Sequence, residues 1–206
     1  RHTKFPPFIK LGSDNFNERA FSCILGGFIG DACGSYHEFS TCIIQDMSKC
    51  MTMPGGGPFA LGPGQITDDS ELALCTIWAL LDGKGTFNAK KYAGGTLNGI
   101  SAPFDIGITT TNAIRAWEEN PSSFYAAKVA SKEKNKKSRS NGTLMKISPM
   151  IVWTSKMPRE QVFEAIKYEV EFFHPDPVGK NQFTSTLLLF STYSKILGKA
   201  LQLLKK

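Results

Sequence analysis

Apolar positions along the chain recur at helical rather than strand spacing. Phe21, Ile24, Leu25, Phe28, Ile29 and Ala32 fall three and four apart, the mark of one apolar helix face. Leu72, Leu74, Ile77, Trp78 and Leu81 repeat the pattern ahead of Gly83, a candidate C-cap. A weaker helix is expected over 87–97. Another runs from a cap at Thr109 or Thr110 through Trp117, and Asn120-Pro121 reads as N-cap and first helical position of the next. Helices follow at about 143–154 and 159–173, the latter with Val162, Ile166, Val170 and Phe173 as its core face. Asp176-Pro177 can cap a last stretch holding Leu187, Leu188, Phe190, Leu197, Leu201 and Leu204. The fold class that results is all-α, a domain of packed helices.

The interruptions matter as much as the helices. Gly26, Gly30 and Gly34 lie four apart on one side of the first helix. Glycine destabilises a helix interior by roughly 1 kcal/mol relative to alanine, so three in register predict close approach of another backbone. Residues 54–66, rich in Gly and Pro, form a loop, as do 101–108. The basic run Lys132 to Arg139 is expected to be the most flexible internal connection.

At 206 residues and 41% apolar, the chain suits one domain with a sizeable core over 1–206, with 1–18 as an extension. The start lacks Met and a signal-peptide core, so residues are expected to be missing upstream. The net charge of +6 is concentrated in 132–139 and beyond Asp176, where five lysines meet no acid. With no nucleic-acid fingerprint beside them, these runs read as solvated surface, and no nucleic-acid partner is expected. Five cysteines, an odd number without a Cys-x-x-Cys pair, point to reduced thiols and an intracellular, cytoplasmic setting. Cys23, Cys33 and Cys75 sit in apolar helical patterns and are expected to be buried. No apolar run approaches the roughly 18 residues that cross a bilayer, so no membrane partner is expected.

Candidate chemistry gathers at five places. Thr67-Asp68-Asp69-Ser70-Glu71 sets adjacent hard oxygen ligands at a helix start, suited to Mg²⁺, Mn²⁺ or Ca²⁺. Asp68 with Glu71 is equally a capping box. Gly30-Asp31-Ala32-Cys33-Gly34 puts an acid in an apolar helix, either as a site residue or as a hydrogen-bonded tie between helices, and Glu38 follows where it can reach a cleft. Asp105 is a lone acid in a short apolar loop, a turn residue or a catalytic one. Ser140-Asn141-Gly142 ahead of a helix offers N–H groups for phosphate, or an ordinary turn. His174 lies in His174-Pro175-Asp176-Pro177.

Taken in order, Gly-Asp-Ala-Cys-Gly at 30–34, Gly64-Gln65-Ile66-Thr67-Asp68-Asp69-Ser70-Glu71, Pro103-Phe104-Asp105-Ile106-Gly107, Ser140-Asn141-Gly142-Thr143-Leu144-Met145-Lys146 and His174-Pro175-Asp176-Pro177 resemble the ADP-ribosylglycohydrolase family from about Phe21 onward. The resemblance implies an all-α enzyme that removes ADP-ribose from a modified protein or related conjugate, using two ions of Mg²⁺ or Mn²⁺. It implies Thr67, Asp68 and Asp69 as metal ligands and Asp105 and Glu38 as catalytic acids. It further implies Gly30, Asp31, Ser140, Asn141, Gly142, Met145 and His174 around the substrate. Lys146 stands where Arg is usual, keeping the charge and losing the bidentate fork.

The family's late Asp-x-Asp-Thr or Asp-x-Asp-Ser motif, which supplies the second set of metal ligands, has no counterpart in these 206 residues. Three readings stay open: a fragment of a full enzyme, a domain completed by a second chain, or an inactive relative serving as a structural or interaction module.

Overall fold

A computed structural model of the chain describes residues 16–41, 47–84, 105–173 and 175–176. The helix expected over 87–97, the stretch beyond Asp176, Cys42 and His174 lie outside the described residues. Within them the fold is all-α. The elements are α1 (Phe16–Gly34), a single 3-10 turn (Ser35–His37), α2 (Met47–Met51), α3 (Asp68–Asp82), α4 (Ile108–Glu119), α5 (Phe124–Asn135), α6 (Ser148–Thr154) and α7 (Arg159–Phe173). The nearest approach to a strand among them is one bridge between Gly56 and Leu61. No helix of the described residues is long and apolar enough to cross a membrane.

The principal core forms where α4 and α5, an antiparallel pair, close over the end of α7. Cys75, Ala79, Ala113, Trp117, Ala127, Phe172 and Phe173 are buried together, with Phe124 packed against them. Phe124 stacks on Phe172 with centroids 5.4 Å apart, and Phe172 meets Phe173 edge-on at 5.0 Å. A second cluster joins Ile147 and Met150 to Ile166 and Val170. The apolar face expected on α7 is therefore its core face, with Val162, Ile166, Val170 and Phe173 all buried.

Several boundaries and faces differ from expectation. Gly107, not Thr109 or Thr110, is the N-cap of α4; both threonines are buried inside its first turn. Asn120 closes α4 by donating its side-chain amide to the Ala116 carbonyl, which leaves Ser123 to cap α5 through a bond from the Ala126 N–H. The serine oxygen reaches that orphan N–H, whereas Asn120 is already committed. The first half of the basic run is helical through Asn135, because Asn135 is buried and donates to the Thr109 carbonyl at 2.9 Å while accepting from Asn112 at 3.0 Å. Helix α6 starts at Ser148, later than 143, since Pro149 lacks an N–H and fits only a first turn.

On α3, the buried face is Leu72, Ala73, Cys75, Thr76 and Ala79, while Trp78 and Leu81 are exposed. Gly83 does end that helix, yet its φ of −77° uses none of glycine's freedom. On α1 only Ala32 is fully buried; Phe21, Leu25 and Ile29 are exposed, and Cys23 is exposed rather than buried. Among the described residues, a Cβ placed on Gly26, Gly30 or Gly34 would meet nothing within 4 Å, so none of them supplies the predicted backbone approach. The close approaches are in the Gly-rich loop. Gly57, at φ +69°, sits against the Tyr36 carbonyl, where a side chain would collide with backbone. This contact ties the loop ahead of α3 to the 3-10 turn ahead of Glu38.

Replacing Phe173 by Ala is expected to cost roughly 3–5 kcal/mol through lost burial and the cavity left behind. Trp78→Ala should stay within about 0.5 kcal/mol. Denaturant unfolding of the two variants checks the contrast.

Candidate functional site

Helix α3 leaves a Gly-rich loop and must find acceptors for its first N–H groups. The local capping box does not form: Thr67 is the N-cap but makes no side-chain cap bond. Its hydroxyl points instead to α1, donating to Asp31 Oδ1 at 2.7 Å. Asp31 Oδ2 accepts from the Thr67 N–H at 2.9 Å, the Ser70 N–H at 3.3 Å and the Ser70 hydroxyl at 2.5 Å. Asp31 thus caps α3 from another helix, and the tie between helices is the role the geometry gives it. Gly30, beside it, lies on the exposed side of α1.

With capping supplied from α1, the α3 carboxylates are left for other work. Asp68 is buried, and burial with the nearby charges of Asp105, Asp69, Glu38 and Asp31 pushes its pKa up to about 7. Asp69 rises to about 6 for the same reasons, burial first and then Asp31, Glu38 and Asp105. Glu38 follows the 3-10 turn, its N–H bonded to the Ser35 carbonyl, and is raised by burial, Asp105 and Asp31. Asp105 lies two residues before Gly107, the N-cap of α4. Both its carboxylate oxygens are buried and neither closes a hydrogen bond of proper geometry. Burial raises its pKa, against a smaller lowering pull from the Asp68 backbone N–H.

Asp31, Glu38, Asp68, Asp69 and Asp105 therefore share one electrostatic neighbourhood. Glu71, read in the sequence only as a capping partner, joins it: Oε2 is buried without a partner, and burial, Asp105 and Asp31 raise its pKa. Its helical position one turn after Thr67 is the signal that could have found it. The grouping is looser than a coordination shell, since among the described residues no three His, Cys, Asp or Glu side chains are gathered closely enough to hold a cation. In kind the donors fit a hard divalent ion: all are carboxylate or hydroxyl oxygens, and Asp105 presents two buried oxygens in need of a positive partner.

The Ser140–Lys146 segment is a turn rather than the immediate start of a helix. Ser140 and Asn141 are exposed, Gly142 is buried and Met145 is half-buried. The Asn141 carbonyl accepts the N–H groups of Leu144 and Met145, at 2.6 and 3.1 Å. Hydroxyls stitch the segment to the start of α4: Thr109 pairs with Ser138 at 2.5 Å and accepts from Ser140 at 3.3 Å. The far end is anchored by Lys146, fully buried, with Nζ 3.4 Å from Glu169 Oε1 and 3.4 Å from the centroid of Phe173. Asn135 and the Lys146–Glu169 pair support this region, and composition gave no sign of either partnership.

The sequence model of the ADP-ribosylglycohydrolase family matches residues 12–199 of the chain. A protein of Acanthamoeba polyphaga mimivirus named as an ADP-ribosyl glycohydrolase is 31% identical over 171 residues, covering 77% of this chain and 50% of the relative. The ADP-ribosylarginine hydrolase Tri1 of Pseudomonas putida is 36% identical over 108 residues, 48% of this chain and 28% of the relative. The ADP-ribosyl-[dinitrogen reductase] glycohydrolase of Rhodospirillum rubrum is 36% identical over 104 residues, 49% of this chain and 35% of the relative. The chain thus spans half or less of the length of each of these relatives.

Two measurements probe the acidic neighbourhood. Asp31→Ala should lower stability by about 2 kcal/mol, since it strips a helix cap and leaves buried donors unmet. Glu38→Gln, which only removes a repelling charge, should leave stability equal or raised. The second concerns pH. A carboxyl whose folded pKa is raised binds more protons folded than unfolded, so its contribution falls as pH rises from the ordinary value. For Asp68 that window runs from its usual 3.8 up to about 7. Without divalent ions, melting temperature should drop as pH rises from about 4 to about 7, and Asp68→Asn should show a shallower drop over the same range.

Proposed function

Because this chain belongs to the ADP-ribosylglycohydrolase family, we propose that the protein it comes from hydrolyses the bond between ADP-ribose and a modified protein side chain, with a divalent cation at the α3 acids. The observation that supports this reading is Asp105: two buried carboxylate oxygens that close no hydrogen bond of proper geometry among the described residues, beside the start of α3 where Asp68 and Asp69 add two more acids. A site that accumulates desolvated negative charge is suited to a cationic ligand.

Thr67, Asp68 and Asp69 would hold the ion, with Glu38 reaching in from the end of the 3-10 turn. Bound there, Mg²⁺ or Mn²⁺ would orient ribose hydroxyls and make an attacking water more acidic. Cleavage at the ribose C1 passes through oxocarbenium-like charge. Asp105 would take the water's proton, and the surrounding carboxylates would stabilise the positive charge that develops on the sugar. The raised pKa of Asp105 brings its basicity nearer the working pH, as a general base requires. The turn from Ser140 to Met145, joined to α4 by the Thr109 hydroxyl, would meet the rest of ADP-ribose, with His174 as a nucleotide-pocket residue. Arginine is the side chain carried in the Pseudomonas putida relative's name, which makes ADP-ribosylarginine the first substrate to assay.

The full-length protein with Mg²⁺ should release ADP-ribose from an ADP-ribosylarginine protein. Asp105→Asn and Asp68→Asn should each lower the rate by about 100-fold or more. Undiminished release in both variants would remove the acids from the chemistry.

A further inference from the structure

Lys146 and Glu169 are both completely buried, which is unusual for either residue type. Lys146 ends the Ser140–Lys146 turn; Glu169 stands on α7. Between them they join a surface turn to the helix that runs through both core clusters. The ammonium also sits on the Phe173 face at 3.4 Å, and it feels the negative charge of Asp68 across the α3 interface. Burial lowers the lysine's pKa and Glu169 opposes that.

A buried ion pair is weak support for stability. Desolvating both charges offsets most of their attraction, and apolar residues of similar volume often do as well or better. What the pair supplies that apolar packing does not is direction. The carboxylate fixes where the ammonium must lie, and the lysine's backbone fixes the end of the turn. The turn's other end is held by the hydroxyls of Ser138, Ser140 and Thr109, just after Asp105 and Gly107.

We infer that Lys146 and Glu169 are positioning residues: their buried pair sets the Ser140–Met145 turn in register with Asp105 and the α3 acids, so that one ligand can span both. This inference rests on the reading of the site as an ADP-ribose site. It assigns to a lysine–glutamate pair in the core the alignment of the ligand-facing turn, rather than contact with ligand.

Single substitutions in a buried pair strand a charge and can unfold the protein, so the test uses a double replacement. In the full-length protein, Lys146→Met with Glu169→Leu should keep the melting temperature equal or higher. The same variant should bind ADP-ribose about tenfold more weakly, because the turn is no longer preorganised. Mg²⁺ affinity, measured by calorimetry without ADP-ribose, should stay within about twofold of wild type, since the α3 acids are untouched. Lys146→Arg, which keeps the charge, should retain ADP-ribose affinity within about threefold. A double variant that folds and binds ADP-ribose as tightly as wild type would overturn the inference alone. A double variant that fails to fold would overturn it too, by showing that the pair is needed for stability. Wild-type protein that binds no ADP-ribose would overturn both the inference and the reading beneath it.

Discussion

The carboxylate of Asp31 is the constraint around which the site is arranged. A helix that starts after a run of glycines and prolines has no neighbour upstream to satisfy its first N–H groups. The residues at hand, Thr67, Asp68, Asp69 and Glu71, are all good capping residues. Had any of them folded back to cap α3, the site would have lost an oxygen. Asp31 removes the need by reaching across from α1, taking two N–H groups and two hydroxyls. One interaction therefore sets the α1–α3 geometry, holds Thr67 and Ser70 in place and leaves the α3 acids to face Asp105 and Glu38. The partial positive charge at the start of α3 offsets some of the resulting concentration of negative charge.

That concentration still has a cost. Two unit charges about 5 Å apart in a medium of effective dielectric about 20 repel by about 3 kcal/mol. Burial first, and then the charges of the neighbouring acids, raise the pKa values of Asp68 and Asp69 to about 7 and about 6. Protons and cations are the two available remedies. A proton leaves a neutral site with little to offer a sugar; a cation leaves an ordered one.

Helix placement was largely legible because periodicity of 3.6 survives wherever one face is buried, as on α7. It misled on α1 and α3, where Phe21, Leu25, Ile29, Trp78 and Leu81 carry the pattern yet remain exposed. Periodicity reports an apolar face, not what covers it. The glycine stripe on α1 meets no other described backbone: spacing marks where approach is permitted, while Gly57 marks one place where it occurs. Of the site, the acids were legible as residue types and by their order along the chain. The division of labour among them was not, because Asp31 and Thr67 are 36 residues apart and no local rule pairs them.

The same distance effect hid the support behind the Ser140 turn. Asn135 lies in what reads as a solvated basic run, and Lys146 reads as a lysine standing where Arg is usual, with no sign of its partner. Each is buried because a long-range partner needs it: Asn135 holds the Thr109 carbonyl, and Lys146 holds Glu169. The aromatic core of α4, α5 and α7 supplies the rigidity that makes these polar contacts specific, since a buried hydrogen bond fixes direction only if its surroundings cannot yield. The acids at the front of α3 and the turn at 140–145 then become two halves of one surface, joined through the start of α4 on one side and through α7 on the other. Function in such a site depends on how firmly those two halves are kept in register, and that firmness comes from residues that no ligand would touch.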